Sequence, residues 1–235
     1  QAAGEHLFLE PFYFRIGENR MKEHESVLVL DFGGQYSHLI ARRVRDLHVY
    51  CEIKPYSAKI ADISSAKYKG IIFSGGPNSV YADRAPECPK EIFEIGVPVL
   101  GICYGAQLMA KLLGGTVSHC KVSEYGKTLV DINRDSRLFS GMKKSSVCWM
   151  SHTDRISAAP EGFEVIGKSD ACPVAAMEND EKGFYAVQFH PEVQHTEQGT
   201  EVLKNFLFGI CGCSGDWQMD SFITTAVNNL RETIG

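Results

Sequence analysis

Three residue types in this chain could together carry out covalent chemistry: a cysteine, a histidine and a glutamate. Cys103 lies within Gly101-Ile102-Cys103-Tyr104-Gly105, between an apolar run from Val97 to Leu100 and a helix-like run from Ala106 to Leu113. A strand that turns through two glycines into a helix holds its central residue on a sharp, exposed bend. That is the nucleophile-elbow pattern, with cysteine in place of serine. His190-Pro191-Glu192 stands far downstream. A thiol at an elbow, an imidazole to move its proton and a carboxylate to orient the imidazole are the parts of acyl transfer through a thioester.

An unperturbed cysteine has a pKa of about 8.5, so little thiolate is present at neutral pH. A helix N-terminus after Cys103 favours an anion there, and His190 as an imidazolium would favour it further. Glu192 can orient that ring, whether the pair shares one face of a strand or sits in a bend just past the strand's end. The tetrahedral intermediate needs amide donors. The Tyr104 N–H follows the nucleophile directly, and Ser74-Gly75-Gly76-Pro77 is the candidate loop for a second donor. Each piece alone also fits a plainer role. The cysteine suits a buried tight turn as well as an elbow, and the His-Pro-Glu and Gly-Gly-Pro segments suit ordinary turns. Their joint placement at the C-terminal ends of strands in one sheet favours the functional reading, because open α/β sheets put their sites there.

These residues must be positioned by a sheet. Val27 to Leu30 reads as a buried strand ending at Asp31-Phe32-Gly33-Gly34. Tyr36, Leu39, Ile40, Val44 and Leu47 then fall on one helical face. Strands follow near Val49 to Ile53 and at Gly70 to Phe73, with the elbow strand fourth. Strands alternating with helices predict an α/β fold: an open, mainly parallel or mixed sheet with helices on both faces. Beyond Gly115 come short β-like runs at Val117, Leu129 to Ile132, Val147 to Met150, Glu164 to Ile166, Val174 to Met177 and Tyr185 to Phe189. They predict a mixed or antiparallel extension. A helix is expected near Glu197 to Phe208, and a last one after Ser214 or Asp216.

With 235 residues there is ample chain for one α/β domain, expected over 21–235. Residues 1–20 mix apolar side chains with Glu5, Glu10 and Arg15, unlike a secretory signal, and read as a non-native leader or a disordered stretch. A net charge of −5 gives no reason to expect a nucleic-acid or membrane surface. Arg42, Arg43 and Arg45 read as the solvated side of a helix. No run approaches the ~20 apolar residues of a membrane span. The eight cysteines contain no C-x-x-C pair, so no metal site is expected, and their scatter suggests a reducing, cytoplasmic setting.

At these residues the chain resembles the class I, triad-type glutamine amidotransferases. That family carries G-x-C-x-G-x-Q, matched from Gly101 to Gln107, and H-P-E, matched at 190–192. Leu30 to Tyr36, Ser74 to Val80, Glu124-Tyr125-Gly126, Trp149 to Asp154 and His190 to Thr196 resemble the branch that serves GMP synthesis. The likeness runs from about Ser26 to the C-terminus and leaves residues 1–20 outside. It implies a flavodoxin-like fold and hydrolysis of L-glutamine to glutamate and ammonia. Cys103 would be the nucleophile, His190 the acid and base, and Glu192 its support. The Gly76 and Tyr104 amides would form the oxyanion hole, while Gln107 and the backbone near Thr153 and Asp154 would hold the amino-acid end of glutamine. It implies no cofactor for this chain. ATP, Mg²⁺ and the xanthosine nucleotide would belong to an ATP-pyrophosphatase synthetase partner, near which His152 and Asp154 would lie. Other readings are the glutaminase of anthranilate or carbamoyl-phosphate synthesis, a γ-glutamyl or cysteine peptidase, and a non-catalytic regulatory subunit of the same fold.

Overall fold

The computed structural model of the chain describes residues 25–77 and 79–218, leaving aside the side chains of 120–123. The leader expected at 1–20 and most of the helix expected after Ser214 or Asp216 lie outside the described residues.

Strand β1 (Ser26–Asp31) alternates its side chains between two cores. Val27 and Val29 enter one, Leu28 and Leu30 the other, and all four are fully buried. A strand buried on both faces is what a parallel sheet covered by helices demands. Helix α1 (Ser37–Asp46) buries Ser37, Ile40, Ala41 and Val44, an i, i+3, i+4, i+7 stripe. Strands β2 (Tyr50–Pro55), β3 (Gly70–Phe73) and β4 (Val99–Ile102) join β1 in parallel, separated by the short helix α2 (Ile60–Ser65) and a 3₁₀ turn at Lys90–Glu94. Helix α3 (Tyr104–Leu112) leaves β4 directly.

The first three of the later strands are longer than the sequence runs imply, whereas the last two are four residues each. β5 (Thr116–Ile132) and β6 (Ser145–Ala158) form one antiparallel hairpin, followed by β7 (Glu164–Lys168), β8 (Ala176–Asn179) and β9 (Phe184–Val187). β6 alternates buried and more exposed positions along most of its length, the period of a half-covered strand. The sheet runs β2-β1-β3-β4-β9-β8-β7-β5-β6. β9 pairs in parallel with β4 and antiparallel with β8, so it joins the two halves. The mixed sheet expected from the sequence is therefore present. Helix α4 (Gly199–Lys204) continues into a π-helical stretch at Asn205–Ile210. One core gathers Ile40 and Val44 of α1 with Val202, Leu203, Phe206 and Leu207, and the other gathers Ile63 of α2, Ile92, Leu108 and Met109. No described helix is long and apolar enough to cross a membrane.

Candidate active site at the strand ends

The C-terminal ends of β1, β3, β4 and β9 converge on one cavity of about 290 Å³, where open α/β sheets bind their ligands. Its walls include Gly75, Gly76, Cys103, Tyr104, Gln107 and His190, and the β6 segment 151–154 closes the far side. The volume is near the lower end of the ~300–1,000 Å³ of small-molecule sites and suits an amino-acid-sized ligand.

Cys103 joins β4 to α3 with φ 52° and ψ −106°, a backbone state that costs a non-glycine residue about 1–3 kcal/mol. The flanking glycines make this bend possible. A Cβ on Gly101 would lie 2.8 Å from the Ala106 backbone, and one on Gly105 would lie 2.5 Å from Phe73 Cβ. The first turn of α3 thus packs directly against β3, and the Gly105 N–H donates to the Ser74 carbonyl at 3.1 Å. The sulfur is 3.7 Å from the Ser151 carbonyl oxygen.

His190 lies in the bend past β9, held by main-chain and side-chain bonds. Its N–H donates to the Trp149 carbonyl at 3.0 Å, and its carbonyl accepts from Thr196 Oγ1 at 2.6 Å. Its Nδ1 is 2.7 Å from Glu192 Oε1, and both side chains are buried. The ring lies beside Cys103, whose sulfur favours its charged form. A Cβ on Gly75 would sit 3.2 Å from His190 Cε1 and 3.9 Å from Cys103 Cβ, so one glycine borders both groups. Burial alone would push the His190 imidazole down. The Cys103 sulfur and then the Glu192 carboxylate outweigh it and hold the ring well above its ordinary pKa. The elbow cysteine, the histidine and the glutamate read from the sequence are brought together.

The remaining predicted residues fall around them. Gly76 and Tyr104 both line the cavity, and a Cβ on Gly76 would press on the Tyr104 ring at 2.8 Å. Gln107 is buried, and its Nε2 donates to the Asp154 carbonyl at 2.6 Å. Thr153 and Asp154 form part of the wall. The Asp154 carboxylate is turned to His119 Nδ1 at 2.9 Å.

Two supporting residues were not legible as such. Tyr36, placed on the apolar helix face, presents an edge to the His190 ring at 5.4 Å between centroids. Arg43, expected on a solvated face, instead sends Nε to the Glu192 carbonyl at 3.0 Å. Arg45 likewise bonds the Cys51 carbonyl at 2.6 Å. The helix-face reading fails here because the arginine stems reach past the helix to the next layer. No local signal in the sequence links residues 43 and 192.

His152, next to Ser151, is 4% exposed. Burial, then the charges of His190 and Arg155, lower its pKa to about 4. An unfolded histidine takes its proton near pH 6.5. Stability from this residue is therefore complete above pH ~6.5 and lost as pH falls toward 4. The difference amounts to about 3 kcal/mol. His190 has the opposite sign, because its raised pKa stabilises below pH ~6.5 and less as pH rises. Urea unfolding of the wild type and His152→Gln at pH 7 and pH 4.5 isolates the first effect. The wild type should lose more stability than the variant across that window; parallel profiles would refute the assignment.

With this geometry in hand, likeness to known proteins has a defined meaning. The family described as "Glutamine amidotransferase class-I" matches residues 28–210. The chain belongs to the class I glutamine amidotransferases. Among curated relatives, a Clostridium botulinum (strain Alaska E43) protein named "GMP synthase [glutamine-hydrolyzing]" is 59% identical over 213 residues, 91% of this chain and 42% of that protein. A Caldicellulosiruptor saccharolyticus protein of the same name is 57% identical over the same shares. The amidotransferase chain thus spans less than half the length of these relatives. Among solved structures, a candidate GMP synthase subunit from Thermoplasma acidophilum is 31% identical with a TM-score of 0.71, covering 80% of this chain and 94% of that one. A Thermotoga maritima glutamine amidotransferase, at 17% identity and a TM-score of 0.65 over 80% of this chain and 98% of that one, shares the fold.

Proposed function

We propose that this amidotransferase chain is the glutamine-hydrolysing part of a GMP synthase, acting in the cytoplasm through a Cys103–His190–Glu192 triad. The observation that carries this is Cys103 on its strained elbow, beside an imidazole that Glu192 holds at 2.7 Å, with Gly75 bordering both. His190 first accepts the Cys103 thiol proton. The thiolate then attacks the side-chain carbonyl carbon of glutamine. The oxyanion forms between the Gly76 and Tyr104 amides, each donor worth ~3–4 kcal/mol in such sites. As the intermediate collapses, His190 returns its proton to the departing nitrogen, so ammonia leaves and a γ-glutamyl thioester remains. The ring, now neutral, takes a proton from water, which attacks the thioester and frees glutamate.

Gln107 spends its amide nitrogen on Asp154, which leaves its carbonyl oxygen to accept from the substrate ammonium. Thr153 and Asp154 supply backbone at the same end of the cavity. Ammonia would pass to an ATP-pyrophosphatase synthetase module that aminates XMP to GMP; ATP and Mg²⁺ would bind in that module and no cofactor in this chain. The names and lengths of the curated relatives support that partner. Glutamine labelled with ¹⁵N at its amide tests the reading. The chain alone should release labelled ammonia. Fused to the remainder of the C. botulinum relative, it should place the label in the amino group of GMP in the presence of ATP and XMP. Glutamine left intact by both proteins would overturn the proposal.

A further inference from the structure

Outside the triad, three residues of metal-binding type meet at the far wall of the cavity, to which His152 itself belongs. Glu124 on β5 and His152 on β6 are direct partners across the hairpin, next to a break in its register. Cys172 approaches from the loop between β7 and β8. A carboxylate oxygen, a ring nitrogen and the Cys172 sulfur all lie within 4.8 Å of one another. The ligands come from three segments that only the fold brings together.

The polar atoms here are left in a state that proteins seldom tolerate. The His152 side chain is 2% exposed and that of Glu124 12%. Glu124 Oε2 and both ring nitrogens of His152 complete no hydrogen bond of good geometry among the described residues. The Asp154 main chain favours the charged ring, as a carbonyl acceptor near it would, without completing a hydrogen bond of good geometry. A buried polar atom without a partner costs about 1–3 kcal/mol. Arg155 lies close enough for its charge to favour the ionised carboxylate, while one arm of its guanidinium bonds the Ala171 carbonyl.

The spacing carries further information. His152 Nε2 and Glu124 Oε2 are 3.4 Å apart, beyond the ~2.9 Å of a good N–H···O bond. Two ligands on a tetrahedral ion with ~2.1 Å bonds stand about 3.4 Å apart. A sulfur, an imidazole nitrogen and a carboxylate oxygen form a zinc donor set. Thiolate and carboxylate would also cancel the charge of a divalent ion, which suits a buried site. An outer layer is present: Ser169 Oγ lies 3.5 Å from Glu124 Oε1 and accepts the Cys172 N–H at 3.0 Å, while the Ser169 N–H donates to the Cys172 carbonyl at 2.9 Å. Metal sites use such partners to orient their ligands.

We propose that Glu124, His152 and Cys172 form a Zn²⁺ site with a fourth position for water. Binding breaks the Cys172 S–H bond, forms a Zn–S bond and releases one proton to solvent, with no change of oxidation state. The filled site ties β5, β6 and the 169–172 turn together directly behind Ser151 and Thr153. This inference stands apart from the glutaminase reading.

The test uses the full chain carrying Cys103→Ala, which removes the competing thiol of the cavity. After chelator treatment and dialysis, Zn²⁺ titration against a chromophoric chelator should show one equivalent bound with a Kd of about 1 µM or tighter. Adding Cys172→Ser or Glu124→Gln should each weaken binding at least ~100-fold. Co²⁺ should give a near-ultraviolet sulfur-to-metal band with Cys103→Ala that disappears with Cys172→Ser. Far-ultraviolet circular dichroism checks the fold of each variant, and the serine and glutamine replacements keep side-chain size. Absence of stoichiometric Zn²⁺ uptake by Cys103→Ala would overturn the proposal. So would uptake unchanged by Cys172→Ser, which would place the ion on surface histidines such as His119.

Discussion

Cys103→Ala is expected to lower glutamine turnover by at least ~10⁴-fold, the scale on which nucleophiles of catalytic triads fail when removed. The residue is only 5% exposed and its Cβ is retained, so the loss should fall on chemistry and leave the fold intact. Five other buried thiols are poorly placed to substitute. Burial pushes Cys51, Cys88 and Cys148 up to about 12 and Cys213 to about 11, and it raises Cys211 well above its ordinary value. A protonated thiol is a poor nucleophile. An electrophilic glutamine analogue should therefore modify Cys103 in the wild type, as read by peptide mass spectrometry, and spare those five. Turnover within tenfold of wild type after the substitution would remove Cys103 from the reaction.

Gly105→Ala is expected to damage stability and turnover together. The added methyl would lie 2.5 Å from Phe73 Cβ and 2.6 Å from the Phe73 carbonyl oxygen. Backbone cannot yield there without lifting α3 from β3 and stretching the Gly105–Ser74 bond of 3.1 Å. Overpacking of this kind costs about 1–3 kcal/mol. Because α3 begins one residue after Cys103, a shift of ~1 Å in its start moves the sulfur, and misplacement on that scale can cost ~10²-fold in rate. Gly209→Ala is the control: nothing lies within 4 Å of its added Cβ, and its φ is not positive. Urea midpoints and turnover should both fall for Gly105→Ala and both hold for Gly209→Ala. A Gly105→Ala protein with wild-type midpoint and rate would show that the elbow does not need this close approach.

The parallel half of the sheet was legible because its inner strands are buried on both faces and its first helix is plainly amphipathic. Val27 to Leu30, Gly70 to Phe73 and the stripe through Ile40 and Val44 each carry their signal within a few residues. The elbow was legible for the same local reason, since two glycines flank one nucleophile. Strand ends shifted by a residue or two: the elbow strand is Val99–Ile102 and the helix begins at Tyr104. The hairpin of β5 and β6 read only as fragments. Its pairing breaks between His119 and Glu124, and its mixed polarity hides continuity. Helix α2, with six residues and one buried side chain, is too short to give a period. The bond from Arg43 to Glu192 and the meeting of Glu124, His152 and Cys172 exist only in the folded chain. Spacing along a sequence cannot report ligands delivered by two strands and a loop.

The position of β9 bears on how the protein is made. A ribosome delivers it after the eight other described strands, yet it lies between β4 and β8. Until Phe184–Val187 emerges, the nascent chain holds two partial sheets whose facing edges carry unsatisfied amides, and such edges recruit other chains. The same late segment carries His190, so a translating chain bears its thiol long before the base that would activate it.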